Sequence, residues 1–441
     1  MSPIIRIRAF LRGTYKSRFV RNVAVVGSGT AGAQAITMAF APVISRLYSP
    51  EAFGLLGTFT AVVAMITPIA ALSYPIAIVL PREDSVAKGI ARLSAYISLA
   101  MAMVVALFLL TGRHKLLGLL QVEAIAAFVL LIPLNILFAA WLEIAQQWLI
   151  RKNLFHIKAK AAVAQALLVN SAMTGIGWFN PVAAVLIVLS TIGSALHAAL
   201  LYFGLSQAKQ EKLQESDSQP GESLLALAKR HYDFPLYRAP QVFINAISQS
   251  LPVLMLASFF GPASAGFYVL CKRLLEMPSA LIGKSVGDVF YSRITEAAHR
   301  GENLTRLIVK ATLALAVIGF LPFAIVIAYG PWLFGVVFGA EWVVAGEYAR
   351  WLALMMFFFF INKPAIAAVP VMGLQRTLII YEIFSTGTKI LALYIGFVLF
   401  MDDVLGVAFF SIVGMIAYIF LIVWVIFSSK KFLSSTNIGH A

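Results

Sequence analysis

The sequence predicts an all-α membrane protein with about twelve transmembrane helices in two parallel six-helix lobes. Three observations predict it. Hydrophobic residues make up 61% of the 441 positions and charged residues 12%, with a mean hydropathy of +0.90, against about 45–50% apolar and about 25% charged in soluble domains. Apolar stretches recur near the roughly 20 residues needed to cross a hydrocarbon core of about 30 Å. A corner signature, Tyr48-Ser49-Pro50 followed by Gly54-Leu55, returns 212 residues later as Phe260-Gly261-Pro262 followed by Gly266-Phe267, as expected of a duplicated lobe.

The twelve stretches, in order, are 22–44, 55–80, 90–111, 122–149, 160–178, 182–205, 234–259, 264–290, 304–329, 344–372, 375–400 and 404–427. They predict helices because lipid offers backbone groups no partner outside a helix or a closed barrel. The alternating segments of about ten residues that a barrel requires are absent. The first stretch follows Arg6, Arg8, Arg12, Lys16, Arg18 and Arg21, a start resembling a secretory signal, but its apolar part is longer than a cleaved signal's core and reads as a span. Ser206 to Arg230, with Lys209, Glu211, Lys212, Glu215, Asp217, Pro220, Gly221 and Glu222, has the composition of a solvated linker. The organisation is therefore a basic tail (1–21), a first lobe (22–205), a linker (206–230), a second lobe (231–427) and a second tail (428–441). Six spans ahead of the linker bring the second lobe into the membrane in the orientation of the first, with a central crevice as the expected site.

The net charge of +15 is laid out by connection. The amino-terminal tail and alternate connections carry 24 of the 34 Lys and Arg residues, and the opposite connections carry four, Arg46, Arg113, Lys115 and Arg350. This bias puts both termini in the cytoplasm of a cell with this protein in its inner membrane. Basicity then reflects orientation and contact with membrane lipids, and no nucleic-acid partner is expected. Cys271 is the only cysteine and reads as a small buried apolar residue. The six histidines lack paired ligand spacing, and phosphate-binding glycine loops and nucleophile elbows are absent, so no metal, cofactor or catalytic residue is expected. Short connections on the face opposite the basic loops leave no room for a large external domain, which weighs against a membrane glycan polymerase or ligase. Pro68, Pro75, Pro235, Pro240, Pro252, Pro278, Pro364 and Pro370 fall within spans, as packed kinks or as hinges for alternating access.

Charges in spans usually face a cavity or a partner. Lys272, Arg273, Glu276, Lys284 and Asp288 fall within an arc of roughly 160° on the eighth stretch at helical spacing. Lys272 with Glu276, and Lys284 with Asp288, are four apart and able to pair, leaving one positive charge in excess. Arg238, Gln241, Asn245 and Gln249 fall within roughly 80° of one another on the seventh stretch, either bonding between helices or walling a cavity. Lys363, between Asn362 and Pro364, is a further candidate cavity cation, whereas Glu382 and Lys389 read as structural. Away from span ends, the first lobe holds one acid, Glu143, beside Gln146 and Gln147. Surplus buried cations favour an anionic cargo.

The run Pro42-Val43-Ile44-Ser45-Arg46-Leu47-Tyr48-Ser49-Pro50-Glu51-Ala52-Phe53-Gly54 resembles the first periplasmic corner of Wzx-type polysaccharide flippases, of the multidrug/oligosaccharidyl-lipid/polysaccharide (MOP) exporter superfamily. Glu143 to Lys152 resembles their fourth-helix exit, Gly266-Phe267-Tyr268 through Arg273 to Pro278 their eighth helix, and Phe338-Gly339-Ala340-Glu341-Trp342 with Gly346 and Tyr348 the corner before the tenth. The resemblance implies a V-shaped bundle that moves a lipid-linked oligosaccharide, typically on undecaprenyl diphosphate, from the cytoplasmic to the periplasmic leaflet for O-antigen, capsule or exopolysaccharide assembly, alongside other polysaccharide-assembly proteins. By the same resemblance Arg46 is a cavity-mouth cation, although an arginine at a helix end is also a common lipid-phosphate anchor. The expected binding set is Arg238, Gln241, Asn245, Gln249, Lys272, Arg273, Glu276, Lys363 and Arg46. An ion-coupled multidrug exporter of the same superfamily is the alternative.

Overall fold

The computed structural model describes residues 18–120, 123–210, 222–279 and 284–438. Helices α1 (Arg18–Leu47) and α2 (Pro50–Ala70) are followed by the single turn α3 (Tyr74–Ala77), α4 (Asp84–Leu120), a 3-10 segment (Glu123–Phe128), α5 (Leu131–Arg151), α6 (Phe155–Gly177) and α7 (Ala183–Gln210). Short α8 (Leu224–Arg230) precedes a π turn (Phe234–Arg238) that runs into α9 (Ala239–Phe260). Then come α10 (Pro262–Pro278), α11 (Lys284–His299), α12 (Leu304–Phe338), a 3-10 turn (Ala340–Trp342), α13 (Val343–Ile361), α14 (Lys363–Val371), α15 (Gln375–Phe400) and α16 (Asp403–Ile438). Pro50 and Pro262 each begin a helix, where the missing N–H has no intrahelical acceptor to satisfy.

The protein is an all-α membrane protein, and no strand occurs among the described residues. Each predicted span falls on this succession of helices. Among the described residues, eight segments are by themselves long and apolar enough to cross a bilayer. The other four predicted spans lie on α1, α5, α6 and α10 with α11, several of which carry polar interiors such as Glu143, Gln146 and Gln147. Val317, Phe320 and Phe384 are 79%, 66% and 71% exposed, an outward apolar surface that suits acyl chains as its solvent.

Several predicted spans are not single helices: the second is interrupted at left-handed Leu72 and Ser73 between α2 and α3, and the fourth opens on a 3-10 segment before α5. The tenth breaks at Asn362, where Pro364 follows without an N–H to donate. In the eighth, α10 runs to Pro278 and α11 begins at Lys284, and 280–283 lie outside the described residues. The side chains of Lys284 and Asp288 lie outside the described residues. The end of the presumed linker is also structured, whereas 211–221 lie outside the described residues. Ser223 caps α8 by accepting from the Ala226 N–H, Leu227 is fully buried beside Gly89 of α4, and the Tyr74 hydroxyl donates to the Ala228 carbonyl at 3.1 Å.

The helices group into two compact units, Met1–Tyr48 with Leu55–Ser250, and Ser49–Gly54 with Leu251–Ala441. In the first, α1 packs on α6 and α5 on α7; in the second, α12 packs on α13 and α13 on α16. A duplicated backbone device recurs in both. After α5, Asn153 is left-handed (φ 55°) and the Leu154 N–H donates to the Leu149 carbonyl at 2.9 Å. After α14, Gly373 is left-handed (φ 69°) and the Leu374 N–H donates to the Val369 carbonyl at 3.1 Å. Both are Schellman ends, 220 residues apart.

The corner signature is a site of extreme backbone proximity within the second unit. A Cβ on Gly54 would lie 1.6 Å from the Pro262 carbonyl oxygen, and one on Gly266 would lie 2.0 Å from the Pro50 carbonyl oxygen. The two copies of the signature thus pack reciprocally, each glycine admitting the other's backbone. Fully buried Trp342 sits against them, edge-on to Phe53 at 5.0 Å and Phe267 at 6.0 Å. Gly54→Ala and Gly266→Ala are each expected to lower stability by about 2 kcal/mol or more, read as a drop in melting temperature of the purified protein. Gly175→Ala, with nothing within 4 Å of its added Cβ, is expected to leave it unchanged.

Candidate functional site

The second unit gathers a cluster of charged and aromatic side chains from five helices. On α10 the Lys272 ammonium lies 3.8 Å from the Glu276 carboxylate, one turn apart. The break at Asn362 starts α14 with Lys363, whose ammonium stands 3.9 Å above the Phe359 ring and within electrostatic reach of Glu276. From α15, Lys389 lays its stem along Gly414 of α16 and brings its ammonium 5.4 Å from the Tyr418 ring, with Glu382 and Lys272 as its charged neighbours. Phe359 and Tyr418 are themselves in contact, with ring centroids 5.4 Å apart. The amines are therefore linked through one carboxylate and a pair of rings.

Three ammonium groups face two carboxylates, Glu276 and Glu382, so the cluster carries one net positive charge. Each cation–π contact is worth about 0.5–2 kcal/mol and eases burial without neutralising the charge. Asn362, fully buried, has neither its amide nitrogen nor its amide oxygen in a hydrogen bond. Ser411 of α16 is likewise buried with an unpartnered hydroxyl. Buried polar atoms without partners are uncommon in folded proteins. A cluster with surplus cations and aromatic faces is chemically suited to a phosphate-bearing group.

Of the expected binding residues, Lys272, Glu276 and Lys363 come together here. Arg273 neighbours Lys272 on α10, is exposed and makes no ion pair among the described residues. Arg238, Gln241, Asn245 and Gln249 all fall in the first unit, all exposed, and the Arg238 guanidinium donates to the Gln241 amide oxygen at 3.0 Å. Arg46 is exposed in the last turn of α1, in the same unit. The structure adds Phe359 and Tyr418 as ring partners of Lys363 and Lys389, and Lys389, read from the sequence as structural with Glu382, has that carboxylate as a neighbour. The spacing of Phe359 and Lys363, four apart, carried a signal for one of these contacts.

The duplication places opposite charges in register. Ten residues before the left-handed cap residue, the first unit has Glu143 and the second has Lys363. Glu143 is partly buried and makes no ion pair among the described residues. The cationic character of the second unit is thus a divergence at a repeated position. The Lys272–Glu276 pair is expected to show a coupling of about 0.5–1 kcal/mol in a double-mutant cycle of Lys272→Met and Glu276→Gln, measured by thermal unfolding in detergent. Glu276→Gln alone is expected to be the more damaging single change, since it removes the carboxylate nearest two amines.

A family model described as "Polysaccharide biosynthesis protein" matches residues 43–347. No protein of curated function matches the chain in sequence. Among solved structures, an inward-facing multidrug resistance MATE family transporter of the MOP superfamily superposes with a TM-score of 0.71 at 15% identity, covering 92% of this chain and 96% of that one. Lipid II flippase MurJ in an inward closed conformation gives 0.65 at 15% identity, with 94% and 91% covered. A MOP superfamily transporter from Pyrococcus furiosus, described by the reverse polarity of its binding pocket, gives 0.62 at 14% identity, with 93% and 96% covered. The chain belongs to the polysaccharide biosynthesis protein family, on the fold of the MOP superfamily of membrane transporters and flippases.

Proposed function

We propose that this protein moves a lipid-linked oligosaccharide, carried on undecaprenyl diphosphate, across the bacterial inner membrane by alternating access, with both termini in the cytoplasm. The observation that carries the reading is the cationic cluster of Lys272, Lys363 and Lys389 in a member of a polysaccharide biosynthesis family. A diphosphate cannot cross hydrocarbon uncompensated, and ammonium groups held inside a span offer the compensation. The polyprenyl chain needs no protein cover and stays in lipid. Arg273 and Arg238 add charge for the head group, Glu276 holds the amines in place, and Gln241, Asn245 and Gln249 offer amides to sugar hydroxyls. Arg46 meets phosphate at a helix end.

Two fold neighbours support this reading by analogy. One is named as a flippase of lipid II, and another is described by a binding pocket of reverse polarity, consistent with one scaffold serving cargoes of different charge. The excess of cations over anions in the cluster disfavours a pocket for cationic drugs.

The test is complementation of a deletion strain with Lys272→Gln, Lys363→Gln and Lys389→Gln, alone and combined. The combined variant is expected to reach the membrane at parental levels and to lower surface glycan at least about tenfold, the loss of roughly one charge-assisted contact or more. Lys→Arg replacements are expected to retain part of the activity. Parental glycan display by the triple variant would sink the cationic-site mechanism. Efflux of ethidium or norfloxacin with no effect on glycan display would instead point to a drug exporter, and build-up of intermediates on the periplasmic leaflet to a polymerase or ligase.

A further inference from the structure

A second built site lies in the first unit, at the ends of α4 and α5 where the chain turns out of the membrane. It is a cavity of about 560 Å³, framed by the 79–84 corner and the 150–155 corner. Its frame is set by one side chain. The Arg151 guanidinium donates through Nε to Asp84 Oδ1 at 3.0 Å, through Nη1 to the carbonyls of Ile78 (3.3 Å) and Pro81, and through Nη2 to the Arg82 carbonyl at 3.0 Å, with Nη2 also 3.0 Å from Asp84. All five of its N–H donors have acceptors nearby, and its side chain is 9% exposed. Arg151 is therefore committed to holding the corner and has little left for a ligand.

Other groups on the wall keep donors to spare, Lys152 having three N–H groups and one donated to Asp84. Lys152 shares Asp84 with Arg151 and is 40% exposed. Arg82 is exposed and makes no ion pair among the described residues. Three cations therefore face one carboxylate, two positive charges in excess around an open cavity. Asn153, held left-handed by the Schellman end of α5, adds an exposed amide. The remaining wall is apolar, from Ile150 and Phe155. A wall part cationic and part apolar, at the end of two spans and on the face where basic residues concentrate, matches the level of lipid head groups.

We infer that this cavity is a binding site for a phosphate-bearing anion, with Arg82, Lys152 and Asn153 as its ligands and Arg151 as its scaffold. The phosphate diester of an anionic phospholipid and the diphosphate of a soluble or cargo molecule share this chemistry. The site uses none of the residues assigned to transport above and stands or falls apart from that reading.

The experiment uses the full purified chain in detergent, with phosphatidylglycerol, phosphatidylcholine and sodium pyrophosphate as probes. Native mass spectrometry and thermal-shift titration compare the wild type with Arg82→Gln/Lys152→Gln, which leaves Arg151 and Asp84 in place. The wild type is expected to prefer phosphatidylglycerol to phosphatidylcholine by at least about tenfold, and the double variant to lose the preference, as two charge-assisted contacts are removed. Displacement of phosphatidylglycerol by pyrophosphate supports recognition through the phosphate itself. Binding of pyrophosphate without a lipid preference assigns the site to a soluble or cargo diphosphate. Equal affinities of wild type and variant for every probe overturn the proposal, and Arg82→Gln alone serves the same comparison should the double variant fold poorly.

Discussion

An ionised amine inside a membrane span must be given a counter-charge, a π face or water, and the second unit is organised around meeting that demand three times. Lys272 has Glu276 at 3.8 Å, Lys363 has the Phe359 ring at 3.9 Å, and Lys389 has Tyr418 at 5.4 Å with Glu382 nearby. None of these arrangements cancels the charge outright. A carboxylate shared among amines, and rings that attract through a quadrupole, make burial tolerable while leaving the cluster positive. Each amine is thus held at an electrostatic cost that its partner only partly offsets, and removing one partner of a pair would strand the other's charge.

The helix break at Asn362 belongs to the same argument. Pro364 removes a backbone donor from the middle of a span, and lipid would penalise the orphaned carbonyl. The surrounding chain is buried, with Asn362, Pro364 and Ala365 all within the protein interior, so the irregular backbone is shielded from hydrocarbon. The break also lets Lys363 begin a helix, one turn beyond Phe359. Backbone irregularity and buried charge thus occur together where protein, not lipid, is the local solvent.

Much of this was legible in the sequence, and what was not had a physical cause. The spans could be read because hydrocarbon thickness sets a length, and the paired glycine corners could be read because Gly54 and Gly266 recur with a proline four residues before each. Lys272, Glu276 and Lys363 stood out as charges in apolar surroundings. Phe359 and Tyr418 did not, since an aromatic residue in an apolar run looks the same whether it packs on lipid or receives a cation. Lys389 and Glu382, seven apart in one helix, read as structural, and nothing in their spacing pointed to the Tyr418 ring beside the amine. The arc that joins Lys272 to Lys284 and Asp288 runs through 280–283, which lie outside the described residues.

The two units show which features of a duplication are held and which are released. Backbone geometry is held: the same Schellman end follows α5 and α14, with bonds of 2.9 and 3.1 Å at matching positions. Charge is released. Glu143 stands where the register puts Lys363, and Arg151, which ties together the carbonyls of Ile78, Pro81 and Arg82, stands where the register puts Val371. Asn153 supplies the left-handed turn in one copy and Gly373 in the other, so even the residue that forms the cap has changed while its conformation has not. Packing of helix on helix fixes the backbone because a displaced turn would disturb every neighbour. A side chain with fewer close neighbours can change its charge while the scaffold stays the same.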